Sequence, residues 1–427
     1  MSKFKALPGF RDFYPDDFAV RAHIVGTWRE VARRYGFQEY DGPPLEPLEL
    51  YVEKSGPEIV QQLYNFTDKG GREVAMRPEM TPTLARMAGA RAGGIPKPIK
   101  WFSVPQLFRY ERQQRGRLRE HFQLNLDILG EEGVAADAEL LAAAVDMLRA
   151  FGLTAADFVA RVSDRRLLRA LLLHAGTPED QLTLVYNIVD KLEREGRERL
   201  IARLTGEAGL TEEAAGAVVD IFRHRELDAV REAYGADPEV AAELARMAEC
   251  FAMLEAMGLR DYVRFDLTIV RGLAYYTGIV FELFDTRGEL RAICGGGRYD
   301  DLLKRVGGTD LPALGFGMGD VVLRELLADR GLLPETARRV DFYVIAVTEA
   351  ERSAALSLVH GLRDAGHSVE YGFRVQGVGK QMKAASALGA ARVAVLGADE
   401  VAAGVANVKT METGEERRVP VEELLRP

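Results

Sequence analysis

LFRYERQQRGRLREHFQLNLDILG, residues 107–130, reads as two strands joined by an arginine-rich connection. In its second half His121, Gln123, Asn125 and Asp127 fall on one strand face, and Phe122, Leu124, Leu126 and Ile128 on the other. In the first half Arg109 and Glu111 alternate with Phe108 and Tyr110, and the connection carries Arg112, Arg115 and Arg117, with Arg119 just beyond. The plain reading is a surface hairpin with a solvated polar face. Such a face usually mixes long Lys and Glu side chains, whereas Gln, Asn and Asp are short donors and acceptors suited to gripping a small polar ligand. Four arginines within eight residues also make a local phosphate-binding patch.

That patch stands in an acidic chain. The 427 residues carry 56 Lys+Arg against 65 Asp+Glu, a net charge of −9. This argues against a protein that coats nucleic acid through bulk charge, while leaving room for a local basic site. Apolar residues make up 47% and charged ones 28%, the mix of an ordinary folded protein, and the length predicts two or three domains. Cys250 and Cys294 are the two cysteines, and the six histidines scatter from His23 to His367, so neither a disulfide framework nor zinc-ligand spacing is present. The opening MSKFKALPGFRDFYPDD lacks the apolar core of a signal peptide, and apolar runs reach only about six residues, as at Leu140–Val145. A cytoplasmic protein without a membrane partner is expected.

Residues 16–36 have the spacing of a helix, with Val20, Ile24, Trp28, Val31 and Tyr35 on one side and Asp16 or Asp17 as cap. The proline-marked DGPPLEPLELY (41–51) and short strand-like runs follow, then a helix over about 137–151. From about 164 to 260 the texture is rich in Ala, Leu, Glu and Arg. Three helix starts there share one grammar, Thr177-Pro178-Glu179, Thr211-Glu212-Glu213 and Asp237-Pro238-Glu239, and the segment reads as a helical insertion. Strand texture returns at 264–284. Beyond a linker containing Gly331 and Pro334, strand and helix alternate and a hairpin turns at Thr413-Gly414, which implies a small α/β domain. From Arg338 onward that domain has twelve basic and twelve acidic residues, so the net negative charge lies before it.

Two more segments are candidates for chemistry. AMRPEMTPTLARM (75–87) gathers Arg77, Glu79 and Thr81 ahead of a helix, although Pro followed by Glu and Thr is also ordinary helix-start chemistry. TIVRGLAYYTGIVFE (268–282) sets Arg271 in an otherwise apolar run before Tyr275 and Tyr276. Paired strand aromatics are usually core, but a buried unpaired charge is costly, so Arg271 should face an anion. The clusters CGGGRYDDLL (294–303) and LPALGFGMGDVVL (311–323) fit neither a P-loop nor a Rossmann fingerprint, and GVGK at 377–380 lacks the following Ser/Thr. Any nucleotide must be held by arginines over a glycine-rich sheet.

In this order the segments resemble the histidyl-tRNA synthetases, class II aminoacyl-tRNA synthetases, over nearly the whole chain. PGFRDFYP is similar to the family's amino-terminal signature, PPLEPLELY to the end of motif 1 at the dimer interface, and FRYERQQRGRLREHFQ to motif 2. RGLAYYTGIVFE and GGGRYDDLL resemble the two histidine signatures, LGFGMG the start of motif 3, and the tail an anticodon-binding domain. The resemblance implies an α+β protein. Its catalytic domain, an antiparallel sheet flanked by helices, would span 1–163 and 261–328, with a helical insertion at 164–260 and a C-terminal α/β anticodon-binding domain at 338–427. It implies ATP, Mg2+, L-histidine and tRNA(His) as cofactors and partners, and a homodimer. Arg271 and Arg109 would be catalytic and would also bind histidine, Arg109 holding its carboxylate and the ATP α-phosphate. Glu79, Thr81 and Gln123 would bind the histidine α-amino group, Asp127 and Tyr276 the imidazole, and Tyr275 and Tyr299 would line the pocket. ATP would meet Arg109, Glu111 and Arg117, and the tRNA acceptor end Gln114 and Arg115.

The chain departs from the family pattern at three positions. Ala274 stands where Asp is usual and Asp127 where Glu is usual. Val322 stands where motif 3 has the arginine that contacts the ATP γ-phosphate, and Arg324, two residues on, would point about 200° away in a helix. Losing one preorganised donor costs roughly 10²–10³ in rate, so another cation substitutes or activity is reduced. The alternative reading is a non-catalytic histidine sensor resembling the regulatory subunit of ATP phosphoribosyltransferase. Against it stand the tail domain and the retained arginines. A generic RNA-binding α/β protein leaves the histidine-type pocket unexplained.

Overall fold

The computed structural model describes residues 4–110, 116, 118–189, 195–270, 275–336 and 340–426. It divides into two compact units, Met1–Pro334 and Glu335–Pro427.

The first unit is built on a nine-stranded sheet. Its strands are β1 (Gln38–Glu39), β2 (Ile99–Ser103), β3 (Gln106–Phe108), β4 (Glu120–Leu129), β5 (Phe158–Asp164), β6 (Val263–Phe265), β7 (Ile279–Asp285), β8 (Cys294–Arg298) and β9 (Ala313–Gly319). In space they run β1-β2-β4-β9-β8-β7-β5-β6, with β3 paired to β4 off that path. The pairs from β2 to β5 are antiparallel, and only the edge pairs β1·β2 and β5·β6 are parallel. One face is apolar. Leu124, Leu126 and Ile128 of β4 pack there with Ile24, Trp28 and Val31 of α1 (Pro15–Arg34) and Leu141, Val145 and Leu148 of α2 (Val134–Arg149). Burying each such side chain stabilises by about 1.5–3 kcal/mol, which fixes the register of β4 and sends its alternate residues to the other face.

Two buried charges fasten helix to sheet. Arg298, at the end of β8, donates to both carboxylate oxygens of Asp137 on α2, at 2.6–3.2 Å, and to the backbone oxygens of Glu131 and Gly133 at 2.8 and 3.3 Å. The side chains are only 1% and 2% exposed. In the glycine cluster Arg298 is therefore a structural anchor.

Between Arg165 and Ala256 the described residues form helices at Arg165–His174, Leu182–Val189, Arg197–Gly206, Glu212–Ile221, Leu227–Tyr234 and Pro238–Ala256. Thr211 and Asp237 cap theirs as expected, accepting from Ala214 N at 3.2 Å and from Glu239 N at 2.9 Å. Thr177 does not. Its N–H closes the preceding helix on Leu172 O at 3.0 Å behind left-handed Gly176, and the next helix begins through a 3-10 turn at Glu179–Gln181. The cap expected at Asp16 or Asp17 is also absent. Pro15 takes the first helical position, so Tyr14 becomes the N-cap and the two acids fall in the first turn.

The second unit has a five-stranded sheet ordered β11 (Val369–Tyr371), β10 (Val340–Ala346), β12 (Ala390–Leu396), β13 (Val405–Thr410), β14 (Glu416–Pro420). The first three strands are parallel and the last two close an antiparallel hairpin. Phe342 and Val344 pack with Leu358 and Leu362 of the helix Arg352–Asp364. Tyr343 and Ile345 face the other way, with Ala385 of the helix Val378–Ala387. Both faces of β10 are covered, which is why its sequence is apolar without alternation. Among the described residues no helix is long and apolar enough to cross a membrane.

Candidate active site

The polar face of β4 looks into an open cavity of about 1410 Å³, lined among others by His121, Gln123, Asn125 and Asp127. The row is internally bonded: His121 Nε2 meets Gln123 Oε1 at 3.2 Å, and Gln123 Nε2 donates to Asn125 Oδ1 at 2.8 Å. Beside it β9 pairs Gly315 with Asp127, Gly317 with Asn125 and Gly319 with Gln123, and β8 adds Gly295 opposite Gly317. A Cβ on Gly315 would lie 2.0 Å from Asp127 Oδ1, and one on Gly317 2.4 Å from Gln123 Nε2. Gly295, Gly315, Gly317 and Gly319 thus form a bare floor across which the β4 side chains spread.

At the closed end Asp127 is buried and accepts the hydroxyl hydrogen of Tyr299. Burial pushes its carboxyl up to about 7, against the opposing pull of that hydrogen bond and of the Lys54 charge. Burial also raises the Tyr299 phenol, so it stays protonated and donates. The rings of Tyr275 and Tyr276 lie 4.4 Å apart, and Tyr275 meets Tyr299 edge-on at 6.1 Å. His121 is driven down to about 4 by burial and the nearby Arg109 charge, so it is neutral at pH 7.

Glu79 and Thr81 enter from the start of the helix Thr81–Arg91 and line the same cavity, as do Arg109, Tyr275, Tyr276 and Tyr299. Arg109 is aimed by Nε donating to Pro78 O at 3.0 Å, while its backbone N–H closes the hairpin on Arg119 O at 2.9 Å. Arg77 is turned elsewhere. It is buried against Asp41 Oδ1 at 2.7 Å and the carbonyls of Gly42 and Gln106, tying the proline-marked segment to β3. Lys54, which the sequence reading missed, pairs with Glu79 and places its ammonium 4.5 Å from the Tyr275 ring centre. Its one signal was a lysine on the apolar side of LELYVEKS. Arg271, Ala274, Glu111, Arg112, Gln114, Arg115 and Arg117 lie outside the described residues.

The amino-terminal PGFRDFYP braces β4 from outside. Arg11 bridges Glu120 at 2.6 Å and Asp320 at 2.8 Å, and Asp320 accepts Phe122 N at 3.0 Å. After β9 the chain enters the helix α3 (Asp320–Asp329), where Val322 lines the cavity. Arg324 instead bonds Asp17 at 2.7 Å, the outward direction expected from its helical offset.

The family model described as Histidyl-tRNA synthetase matches residues 9–320. The chain belongs to the histidyl-tRNA synthetase family. A second family model, an anticodon binding domain, matches residues 341–426. A histidine–tRNA ligase of Opitutus terrae is 46% identical over 99% of this chain and 98% of its own length. The chloroplastic/mitochondrial histidine–tRNA ligase of Arabidopsis thaliana is 41% identical over 97% and 85%. The crystal structure of the histidyl-tRNA synthetase from Nostoc sp. PCC 7120 superposes with a TM-score of 0.83 over 99% of both chains, at 24% identity, and so shares the fold. The synthetase architecture, an antiparallel sheet flanked by helices with a separate α/β unit, is the one expected from sequence.

Proposed function

We propose that the chain is a histidine–tRNA ligase that makes histidyl-adenylate from L-histidine and ATP and then passes the histidyl group to the 3′ end of tRNA(His). The observation that carries this reading is the β4 row, with Asp127 and Tyr299 at its closed end and Arg109 in the same cavity. Asp127 and Tyr276 hold the imidazole, with Tyr275 and Tyr299 as walls. Glu79, Thr81 and Gln123 hold the α-amino group. Glu79 already carries an ammonium partner in Lys54, so the substrate ammonium shares that carboxylate. These contacts orient the histidine carboxylate towards the nucleotide.

A carboxylate oxygen attacks the α-phosphorus, the bond to the bridging oxygen breaks, and pyrophosphate leaves. Two anions must meet, so positioning and preorganised positive charge do most of the catalysis. Arg109 and Arg271 supply that charge at the α-phosphate. Glu111 and Arg117 serve ATP, and Gln114 and Arg115 the tRNA acceptor end. Mg2+ bound to the triphosphate would neutralise phosphate charge. The cavity carboxylate Glu282 suits an ion held mainly by phosphate oxygens and water.

We assign catalysis to 1–163 and 261–328, a helical insertion to 164–260 and anticodon binding to 338–427. The active form is a cytoplasmic homodimer, a reading supported by the motif 1 resemblance of 41–51. Val322 favours the alternative of a histidine-sensing regulatory paralogue, but the anticodon-domain match at 341–426 weighs against it. Charging of tRNA(His) with labelled histidine tests the reading. Histidyl-tRNA is expected, and intact histidine binding without charging would refute it.

A further inference from the structure

Polyphosphate needs cations at the end of the cavity where Val322 stands, and the described arginines lining that cavity are Arg109, Arg161, Arg264 and Arg291. Arg109 donates Nε to Pro78 O at 3.0 Å, and Arg161 is committed to Asp266 at 2.7 Å and Thr268 at 2.8 Å. Arg264 lies on β6, four strand steps from β9, roughly 19 Å away at ~4.8 Å per step.

Arg291 lines the same cavity. It lies in the connection from β7 to β8, and β8 pairs directly with β9, Cys294 opposite Met318. β9 ends at Gly319 and α3 begins at Asp320, so Val322 lies just beyond the end of the strand that β8 pairs with. The two side chains come together beside Gly116: a Cβ placed there would lie 3.4 Å from Val322 Cγ2 and 3.9 Å from Arg291 Cδ. Gly116, Val322 and Arg291 therefore meet at one place.

We propose that Arg291 binds the terminal phosphates of ATP, delivering from the β7–β8 connection the charge that Val322 does not supply from α3. The assignment rests on the reading of the cavity as an ATP site and adds a substrate-binding residue to it. A guanidinium on a long stem, anchored one strand away, reaches the same anion from the neighbouring backbone, and its planar fork suits phosphate oxygens.

The test is calorimetric titration of the full chain with ATP and with AMP. Arg291→Ala should weaken ATP roughly tenfold or more, the size of a lost charge-assisted hydrogen bond, while AMP affinity stays as in the wild type. Arg291→Lys should retain part of the preference for ATP, and Val322→Arg in the Arg291→Ala background should restore it. Arg287→Ala, an exposed arginine bonded to Asp329, is the control expected to change nothing. An unchanged ATP-to-AMP ratio in Arg291→Ala overturns the assignment, as does a loss that strikes AMP equally. If the ratio falls as predicted but the wild type shows no histidine-dependent pyrophosphate exchange, the activation reading fails and the assignment of Arg291 stands.

Discussion

With Asp127 assigned to the imidazole as proposed, histidine recognition becomes titratable. Its carboxyl, raised to about 7 by burial, is largely protonated in the empty site below that pH and ionised above it. In the proposed assignment an ionised Asp127 would accept the imidazole N–H, so the KM for histidine should fall as pH rises through about 7. Asp127→Asn should abolish that step, and Lys54→Met should move it to higher pH by removing the charge that favours the carboxylate. Steady-state exchange across pH 6–8.5 measures all three. The stability linkage has the opposite sense. A carboxyl raised in the folded state contributes stability that is complete below its unfolded value, near 3.9, and is lost as pH rises through about 7. The glycine floor makes a second residue-scale prediction. Gly315→Ala would set a Cβ 2.0 Å from Asp127 Oδ1 and should raise the histidine KM at least about tenfold with the fold retained by circular dichroism. Alternation along 121–127 made the row legible in sequence, because a strand with one buried face has its register fixed. Lys54 was not legible, since its partner Glu79 comes from another element and sequence spacing carries no trace of that meeting.

At the scale of elements, α2 is joined to the sheet by the Arg298–Asp137 pair, with both side chains almost fully buried. Removing one partner of such a pair leaves an uncompensated charge, so Arg298→Met should destabilise the first unit by about 3–5 kcal/mol, read by urea unfolding. Reading GGGRYDD as a ligand signature hid this role: composition marks where glycine and arginine cluster, but only the fold shows which way the arginine points. Helix starts were legible where one residue had one task, as at Thr211 and Asp237. They failed at Thr177, whose backbone ends the preceding helix, and at Asp16 and Asp17, displaced by Pro15. Competing local signals resolve only when both neighbouring elements are known.

Over the whole molecule, the −9 net charge is a poor guide to the nucleic-acid partner. The arginines of residues 107–130 are local, and the second unit is close to neutral. Segment order revealed more than composition, since a dozen ordinary residues recur as signatures only in sequence along one chain. The proposed homodimer predicts a light-scattering mass of twice the 47.2 kDa chain; a single-chain mass would remove that part of the account. The central claim, that this cavity activates histidine, is tested most directly by ATP–pyrophosphate exchange with the purified protein. Exchange that depends on histidine, and is not supported by other amino acids, is the predicted result. Exchange at background with histidine binding intact would contradict it.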